Sequence, residues 1–512
     1  MRSCGYPVID LFAGPGGLGE GFTSYRDQKG HQAFIDSISI ERDERAHSTL
    51  FLRHFLRAFG ERGFPEDYYQ FLSGELSLDE LYERHPSEHK HASDTALRIS
   101  LSVEEHERVK TLIRTSLGNT KKWVLIGGPP CQAYSLVGRS RMKGRADFQQ
   151  DERHFLYREY LRIIADHAPP IFVMENVKGL ISSKINGELV ISKILQDLSD
   201  PGLAIHQQAG LKYRLYSLSN SGELQLSDDP AQFLVKAEQY GVPQARHRMF
   251  IVGIRSDIPL VPQQLTKTDA PTVSEMIGNL TPIRSQLSKN DSFDEWVKNL
   301  KAFDLHKLRS LGELKCSHRS LVEVISTIRE RPELLPRVTA SASYPSQSSS
   351  TNRVLNCLYD PRIHHLTGHD ARSHMSSDHH RYLYSAAFAV IENQSPKLAD
   401  FPEFLLPNHK NTELGCAGKM FSDRFRVQIG SRVATTITSH ISKDGHYFIH
   451  YDPRQCRSLT VREAARLQTF PDNYHFLGPR TSQYHQIGNA VPPFLSVQIA
   501  ELVAEILDAA GD

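Results

Sequence analysis

The chain has 512 residues, of which 39% are hydrophobic and 23% charged, and this composition excludes fibrous, collagen-like and wholly disordered proteins. Its 60 Lys and Arg residues balance 59 Asp and Glu residues, so any nucleic-acid surface must be local. No apolar run approaches the roughly 18 residues that a membrane span needs, and the N-terminus does not read as a secretory signal. We therefore expect a cytoplasmic protein with no membrane partner. Six scattered cysteines without a C-x-x-C pair predict neither a disulfide framework nor a structural zinc site.

Four short apolar runs bounded by glycine, proline or polar residues predict buried strands of a parallel sheet. The runs are residues 8–12, 124–126, 171–174 and 249–254. Between the second and the third, apolar residues at helical spacing predict a crossover helix. These residues are Leu156, Tyr160, Ile163 and Ile164. Strand, helix and strand at this spacing predict a doubly wound α/β domain over about the first 255 residues.

The pattern changes after Arg255, where proline and polar residues interrupt every periodic segment. We expect a second, less regular domain there, with a mobile linker or loop at residues 341–351. Residues 494–507 carry an apolar stripe and predict a helix that packs back onto the sheet. The two ends of the chain are then neighbours.

A glycine-rich turn, DLFAGPGGLG at residues 10–19, follows the first predicted strand. It lacks both the G-x-G-x-x-G spacing of a dinucleotide site and the lysine of a phosphate-binding loop. The second strand is predicted to end at Glu41, where a doubly wound fold places a carboxylate that grips a ribose. An adenosine-bearing cofactor without a pyrophosphate, such as S-adenosylmethionine, fits this arrangement, although a tight turn without a ligand is the alternative.

Two prolines stiffen the backbone just before Cys131, in GGPPCQAYS at residues 127–135. The motif follows a predicted strand, so the thiol is placed at the carboxyl edge of the sheet, where ligands bind. A rigid, exposed cysteine is typical of a nucleophile, whereas we expect most of the other five to be buried thiols. The next strand ends at Glu175, which places a carboxylate beside the thiol; a helix cap is its alternative role.

Arg246 and Arg248 alternate in QYGVPQARHR at residues 239–248, so on an extended segment they project to one side. Two guanidinium groups there favour a clamp on a heterocycle carbonyl or a phosphate. A solvated pair at an edge is the alternative.

Together these motifs resemble those of the cytosine-5 DNA methyltransferases, in the family's order. The match is carried by DLFAGPGGLGEGF, GGPPCQAYS, MENV, YGVPQARHR, SLTVREAARLQTFPD and QIGNAVPP. The resemblance implies a Rossmann-like catalytic domain that binds S-adenosylmethionine and a smaller, irregular target-recognition domain. The corresponding divisions are residues 1–255 for catalysis, 256–455 for recognition, 456–484 for a segment at the junction, and 485–512 for a helix returning to the catalytic domain.

By similarity, Cys131 adds to carbon 6 of cytosine, while Glu175 holds ring nitrogen 3. Arg248 matches the arginine that holds the base carbonyl, with Arg246 as support. Carbon 5 then takes the methyl of S-adenosylmethionine, leaving S-adenosylhomocysteine, and loss of its proton ejects the thiol. Because the target atom is inaccessible inside a duplex, flipping of the cytosine out of double-stranded DNA is implied.

Further residues match the family's cofactor pocket and the DNA side of its catalytic loop. The cofactor residues are Phe12, Ala13, Gly14, Gly17, Leu18, Glu41, Arg42, Pro130, Asn489 and Val491. A basic run after Cys131 lies where the family has a mobile loop, so we expect phosphate contacts rather than the alternative of a solvated face. The DNA-binding candidates are Gln132, Ser135, Arg139, Arg141 and Arg153.

Two features depart from the family or add to it. Residues 51–120 are longer than the usual stretch before the Cys motif, and the aspartate that commonly contacts the adenine amino group is not found; Asp94 and Ser102 are candidates. A histidine cluster lacks cysteine partners and a recognised spacing, so we expect a polar loop at the DNA surface and no metal. The cluster comprises His364, His365, His369, His374, His379 and His380.

Two other functions remain open from the sequence. A transfer-RNA cytosine-5 methyltransferase would share the fold, but the roughly 200 residues between Arg255 and SLTVREAARL leave room for a target-recognition domain. A catalytically inactive DNA-binding regulator would not need Cys131, Glu175 and both arginines. We expect a bacterial monomer with restriction or defence partners encoded nearby.

Overall fold

The computed structural model describes residues 5–130, 152–185, 188–206, 210–220, 222–223, 229–311, 318–345, 352–409, 411–419 and 421–510, without the side chains of 152–155, 185 and 188. The strands in these ranges are β1 (Tyr6–Leu11), β2 (Phe34–Ile40), β3 (Ala96–Leu97), β4 (Val124–Gly127), β5 (Ile171–Val177), β6 (Lys184–Ile185), β7 (Glu188–Leu189), β8 (Tyr213–Tyr216), β9 (Leu234–Lys236), β10 (Gln244–Ala245), β11 (His247–Arg255), β12 (Gln286–Leu287), β13 (Ser373–His374) and β14 (Ala434–Thr435).

Helices cover both faces of the sheet and build most of the remainder. They are α1 (Gly17–Ser24), α2 (Glu44–Arg57), α3 (Glu66–Ser73), α4 (Leu78–Arg84), α5 (Pro86–Thr95), α6 (His106–Leu117), α7 (Glu152–His167), α8 (Val190–Ser199), α9 (Pro201–Ala204), α10 (Val273–Ile277), α11 (Phe293–Lys301), α12 (Leu305–Ser310), α13 (His318–Glu330), α14 (Arg353–Leu358), α15 (Ser376–Glu392), α16 (Thr412–Cys416), α17 (Val461–Leu467), α18 (Arg480–Asn489) and α19 (Pro493–Ala509).

The main sheet has the order β3-β2-β1-β4-β5-β11-β8, with β9 also paired to β11. The neighbouring pairs from β3 to β5 are parallel, as the sequence predicts. The run at residues 249–254 lies in β11, which is antiparallel to β5, so its predicted parallel direction was wrong. An apolar run indicates that a strand is buried on both faces, but it carries no information about the strand's direction.

The alternation of side chains along the strands separates two cores. Val8 and Val124 pack on one face with α1 and α19, whereas Ile9 and Leu125 pack on the other with α6, α7 and α8. The predicted crossover helix is confirmed as α7, with Tyr160 fully buried.

The predicted terminal helix is confirmed as α19, and it closes the first core against α1. A Cβ on Gly21 would lie 2.2 Å from the Cβ of Ser496, so only glycine permits this close approach of the two helices. Tyr6 donates to Asp508 Oδ1 at 2.6 Å, which makes the two ends neighbours as predicted. Residues 480–509 are apolar and long enough to cross a membrane, but 72% of their most apolar window is buried, which is typical of a core segment.

Residues 256–455 pack into two different cores. One surrounds Trp296 and Tyr382 and belongs to this block. The other joins Met276 and Ile437 to Phe470 from the junction segment. The domain boundaries therefore remain predictions. The predicted linker at 341–351 is described as far as residue 345, and it begins with a hydrogen bond from Ser341 N to His369 O at 3.1 Å.

The long stretch before the Cys motif contributes a small helical subdomain, α3 to α5, packed on α2. It also contacts the block of residues 256–455, because Tyr69 donates to Asp360 Oδ2 at 2.7 Å. Arg362 in turn donates to the carbonyl of Phe64 at 2.7 Å. Helices α3 to α5 and the loop before them therefore connect α2 to the block of residues 256–455.

Candidate active site

A cavity of about 680 Å³ lies at the carboxyl ends of β1, β4 and β5. This edge is where a doubly wound sheet binds its ligands. The cavity is lined by Asp10, Phe12, Ala13, Gly14, Pro15, Leu18, Glu41, Asp43, Ala46, Gly128, Pro130, Glu175, Thr481, Ser482, His485, Gln486, Asn489, Ala490 and Val491.

The glycine-rich turn and Glu41 form one wall together. Gly14 has φ +58° and donates its N–H to Glu41 Oε2 at 2.8 Å. Asp43 N donates to the other oxygen of the same carboxylate at 2.7 Å. These two bonds fix the carboxylate at the end of β2, where the sequence places a ribose ligand.

Asp10 is the floor of the cavity beneath this turn. Its side chain is 2% exposed, and Oδ2 has no hydrogen-bond partner among the described residues. Burial raises the pKa of Asp10 well above its usual value, and repulsion from Asp36 raises it further. An unpartnered buried oxygen, a glycine turn and a fixed Glu41 carboxylate suit a ligand with an adenosine and an ammonium group, as S-adenosylmethionine has.

Glu175 and Arg248 meet at the other end of the cavity. Arg248 Nε lies 3.1 Å from Glu175 Oε1. The antiparallel direction of β11 makes this possible, because its first residues lie at the edge where β5 ends. Burial raises the pKa of Glu175, although Arg248 and Arg246 partly offset the effect. A carboxyl with a raised pKa keeps its proton closer to neutrality and can donate it to a base.

The proline pair connects Glu175 to the predicted nucleophile. Asn176 Nδ2 donates to the carbonyl of Pro129 at 3.0 Å, which fixes the end of β5 to the proline pair. Pro130 lies in the cavity wall. Cys131 lies outside the described residues, as do Gln132, Ser135, Arg139 and Arg141, and of Arg153 only the helical backbone is described.

Eight of the ten predicted cofactor residues line the cavity, and Gly17 and Arg42 do not. A Cβ on Gly17 would lie 2.5 Å from the carbonyl of Val491, so this glycine permits chain packing behind the wall. Arg42 is exposed and follows Glu41 away from the cavity. Asp94 is paired with Lys90 at 3.0 Å, and Ser102 accepts from Glu105 N at 3.3 Å; neither lines the cavity.

Helix α18 adds polar residues to the wall that sequence reasoning missed: Thr481, Ser482, His485 and Gln486. Gln486 is 4% exposed, and its Oε1 has no partner among the described residues. The sequence signal was the position of these residues just before Asn489 in QIGNAVPP, but polar residues on a helix read equally as a solvated face.

Arg246 does not line this cavity. Its Nη1 donates to Ile437 O at 3.0 Å, and both of its terminal nitrogens donate to Gly488 O at 3.2 Å. The sequence predicts that Arg246 supports the base-holding Arg248. In the structure, Arg246 instead donates to backbone carbonyls behind the cavity wall.

Only part of the histidine cluster fits the polar loop that the sequence predicts: His364 and His365 lie outside helices and strands, and His364 is exposed. His369, His374 and His379 are buried, and His379 and His380 lie in α15. His379 contacts Ser285 Oγ through Nε2 at 3.2 Å and Asn299 through Nδ1 at 3.2 Å. The sequence shows only that these histidines are polar. It does not show that residues distant in the chain supply hydrogen-bond partners that allow the rings to be buried. Within the described ranges, no group of three or more His, Cys, Asp or Glu residues is arranged to hold a metal.

The cysteines also differ in part from expectation. Cys456 is buried, whereas Cys416 is half-buried and Cys357 is exposed; Cys4 and Cys316 lie outside the described residues.

Comparisons with known proteins agree with this geometry. The family model for C-5 cytosine-specific DNA methylase matches residues 107–505. A type II methyltransferase of Bacillus paralicheniformis, M.Bpa9945I, is 30% identical over 98% of this chain and 99% of its own. The DNA (cytosine-5-)-methyltransferase M.ApeKI of Aeropyrum pernix is 27% identical over 77% of this chain and 84% of its own. A crystal structure of a prophage-encoded putative DNA modification methyltransferase from E. coli has 19% identity and a TM-score of 0.52, covering 98% and 99% of the two chains, and it supports the fold.

Proposed function

Since the chain belongs to the C-5 cytosine-specific DNA methylases and transfers a methyl group from S-adenosylmethionine to carbon 5 of cytosine in DNA, we propose that it acts through a covalent bond between Cys131 and a cytosine flipped out of a double-stranded target. One observation carries this proposal. Pro130 lines the same cavity as Glu175, and Cys131 is the next residue along the chain.

The reaction starts when the Cys131 thiolate forms a bond to carbon 6 of the base. Glu175 donates a proton to nitrogen 3, so the electron pair displaced from the ring creates no free negative charge. Arg248 holds the base carbonyl and orients Glu175 through their 3.1 Å contact. Carbon 5 becomes the nucleophile, and S-adenosylmethionine, when bound, supplies its electrophilic methyl group. S-adenosylhomocysteine is left, and a solvent water then accepts the proton on carbon 5, which restores the double bond and expels the Cys131 thiolate. The nitrogen 3 proton returns to Glu175.

The glycine turn, Glu41, Asp10 and Asn489 would hold the methyl donor in this scheme. Glu41 is fixed by two backbone N–H groups, and Asp10 offers an oxygen without a partner in the described part of the chain. These residues line the same cavity as Glu175, so a donor bound by them would supply its methyl group close to the base.

A duplex containing 5-fluorocytosine at the target position tests the covalent step. Carbon 5 then has no proton to lose, so the adduct should persist through denaturing electrophoresis, and Cys131→Ala should form none. Cys357→Ala is the matched control, since Cys357 is an exposed thiol that does not line the cavity, and its replacement should leave the adduct unchanged. An adduct mapped to any other cysteine would refute the assignment.

We further propose that residues 256–455 form the recognition domain, whose side chains read the base pairs in the major groove. The separate core around Trp296 supports this, because it stabilises this block without residues of the main sheet. Exchanging the block with that of a relative should transfer the target sequence, and loss of a bidentate base contact should cost about 1–3 kcal/mol at one position. An active chimera that kept its original site would place recognition in the first 255 residues.

Arg139, Arg141 and Arg153 are proposed to contact phosphates, with Gln132 and Ser135 beside the flipped base. Replacing each arginine by Ala should weaken binding to all sequences alike and reduce the salt slope by about one per contact. A variant that bound normally but methylated a different sequence would contradict phosphate contact.

We propose that the protein is a cytoplasmic monomer and that, as its type II relatives suggest, a companion restriction enzyme accompanies it. Plasmid DNA from cells making the protein should resist a nuclease encoded nearby, and plasmid from cells making Cys131→Ala should not. Equal cleavage of both plasmids would contradict this role.

A further inference from the structure

Arg246 is a buried cation whose contacts are backbone carbonyls. The residue is 1% exposed, and it donates to Ile437 O and Gly488 O. Burial lowers the pKa of Arg246 well below its usual value, and repulsion from Arg248 lowers it further. Burying a guanidinium is costly unless its hydrogen-bond partners compensate, so the position of its two partners matters.

The two carbonyls belong to different parts of the molecule. Ile437 lies two residues after β14, at the end of the recognition block. Gly488 lies in α18 and is followed by Asn489, Ala490 and Val491 of the cavity wall. A Cβ on Gly488 would lie 2.3 Å from Ser439 N, so the two backbones touch directly.

The segment that carries Arg246 also joins the recognition block to the predicted acid. Ala245 pairs with Thr435, and Thr436 Oγ1 donates to the carbonyl of Ala245 at 2.5 Å. Two residues beyond Arg246, Arg248 contacts Glu175. Residues 434–439 are therefore linked by hydrogen bonds and backbone contacts to both ends of the cavity.

We propose that Arg246 is a positioning residue that couples DNA binding to methyl-donor binding by holding the carbonyls of Ile437 and Gly488 together. When DNA fixes residues 434–439, the guanidinium holds Gly488, and with it the wall at Asn489, in the arrangement that binds the donor. Such coupling is reciprocal, so the donor tightens DNA binding by the same factor. The inference rests on the proposed function only in placing residues 434–439 on the DNA side.

The test measures the dissociation constant of S-adenosylhomocysteine with and without a duplex that carries the target mapped by bisulfite sequencing. In the unaltered protein, DNA should tighten S-adenosylhomocysteine binding by about tenfold. In Arg246→Lys, whose ammonium cannot hold two carbonyls in a fixed plane, the ratio should fall below about twofold, and KM for the donor should rise by a larger factor than kcat falls. Arg284→Lys is the matched control, because Arg284 is 4% exposed but lies in the recognition block away from the cavity.

A second variant keeps the test informative if Arg246→Lys does not fold. Thr436→Val removes the hydroxyl that ties the recognition block to Ala245, and it should reduce the ratio without changing the affinity measured in the absence of DNA. Three results would overturn the inference: no coupling in the unaltered protein, an unchanged ratio in the Arg246 and Thr436 variants, or an equal loss in Arg284→Lys. Absence of the 5-fluorocytosine adduct would instead refute the proposed covalent step and leave this measurement interpretable.

Discussion

The cavity edge and the domain junction both bury charged side chains, but they pair them differently. At the cavity, Asp10 Oδ2 has no hydrogen-bond partner among the described residues, and burial raises the pKa of Glu175. At the junction, Arg466 donates to the two oxygens of Asp472 at 2.9 and 2.7 Å, and both side chains are 1% exposed. The unpartnered oxygen of Asp10 leaves a place for a polar group of a ligand, whereas the paired charges of Arg466 and Asp472 are part of the fold.

The largest effect is expected at Glu175. Glu175→Gln removes the acid that protonates the base, so the rate of methyl transfer in a single turnover should fall by about 10²- to 10⁴-fold. The free energy of unfolding should change by less than about 1 kcal/mol, because burial already opposes the charge. Glu104→Gln, on the surface, should change neither quantity. A normal rate of methyl transfer in Glu175→Gln would contradict the role of Glu175 as the acid.

At the junction, a substitution should lower stability and leave methyl transfer unchanged, which is the opposite of the result expected at Glu175. Asp472→Asn leaves Arg466 buried without its ionic partner, which should lower the free energy of unfolding in urea by about 3–5 kcal/mol. Methyl transfer per folded molecule should stay unchanged. Asp94→Asn is the control, since its pair with Lys90 is exposed and should contribute at most about 1 kcal/mol. Equal losses of stability in Asp472→Asn and Asp94→Asn would contradict the prediction, because the buried pair would then contribute no more than an exposed one.

The buried histidines predict a pH dependence of stability. Burial lowers the pKa of His379 to about 4 in the folded chain, whereas an unfolded histidine titrates near 6.5. The unfolded chain therefore binds more protons between these values, so stability is fully present above about pH 6.5 and is lost as the pH falls toward 4. His379→Gln should flatten this loss by up to about 1.4 kcal/mol per pH unit.

Unfolding in urea at several pH values between 4 and 7 measures that slope. His91→Gln replaces an exposed histidine and should keep the original slope. A steeper slope in His379→Gln would contradict the assignment of a neutral buried ring.

The smallest effect is expected in the insertion. Ser77 Oγ accepts from Glu80 N at 3.2 Å, while Ser77 N donates to Glu80 Oε2 at 2.8 Å, which caps α4. Ser77→Ala should lower the free energy of unfolding by about 1 kcal/mol. Ser87→Ala, at an exposed position in α5, should stay within about 0.5 kcal/mol of the unaltered protein.

The sequence predicts the residues at the strand ends of the cavity better than the helix that completes the cavity wall. Strand ends place Glu41 and Glu175 correctly in the cavity wall, because the backbone direction alone positions them. The polar face of α18 was missed, since a helix that lines a cavity and one that faces water have the same pattern. The direction of β11 and the burial of His374 depend on tertiary packing, which no local periodicity records.

The contact between Gly21 and Ser496 also has a consequence for synthesis on the ribosome. Ser496 Oγ donates to the carbonyl of Leu18 at 2.6 Å, so α1 is completed by a residue of α19 that is made 478 residues later. The cavity wall at Asn489 and Val491 is made just before α19. Because the ribosome adds about 5–20 residues per second, the glycine turn waits tens of seconds for its covering helix. A nascent chain that has not reached residues 489–491 therefore cannot yet form the complete methyl-donor cavity, and methylation begins only after synthesis has passed this segment.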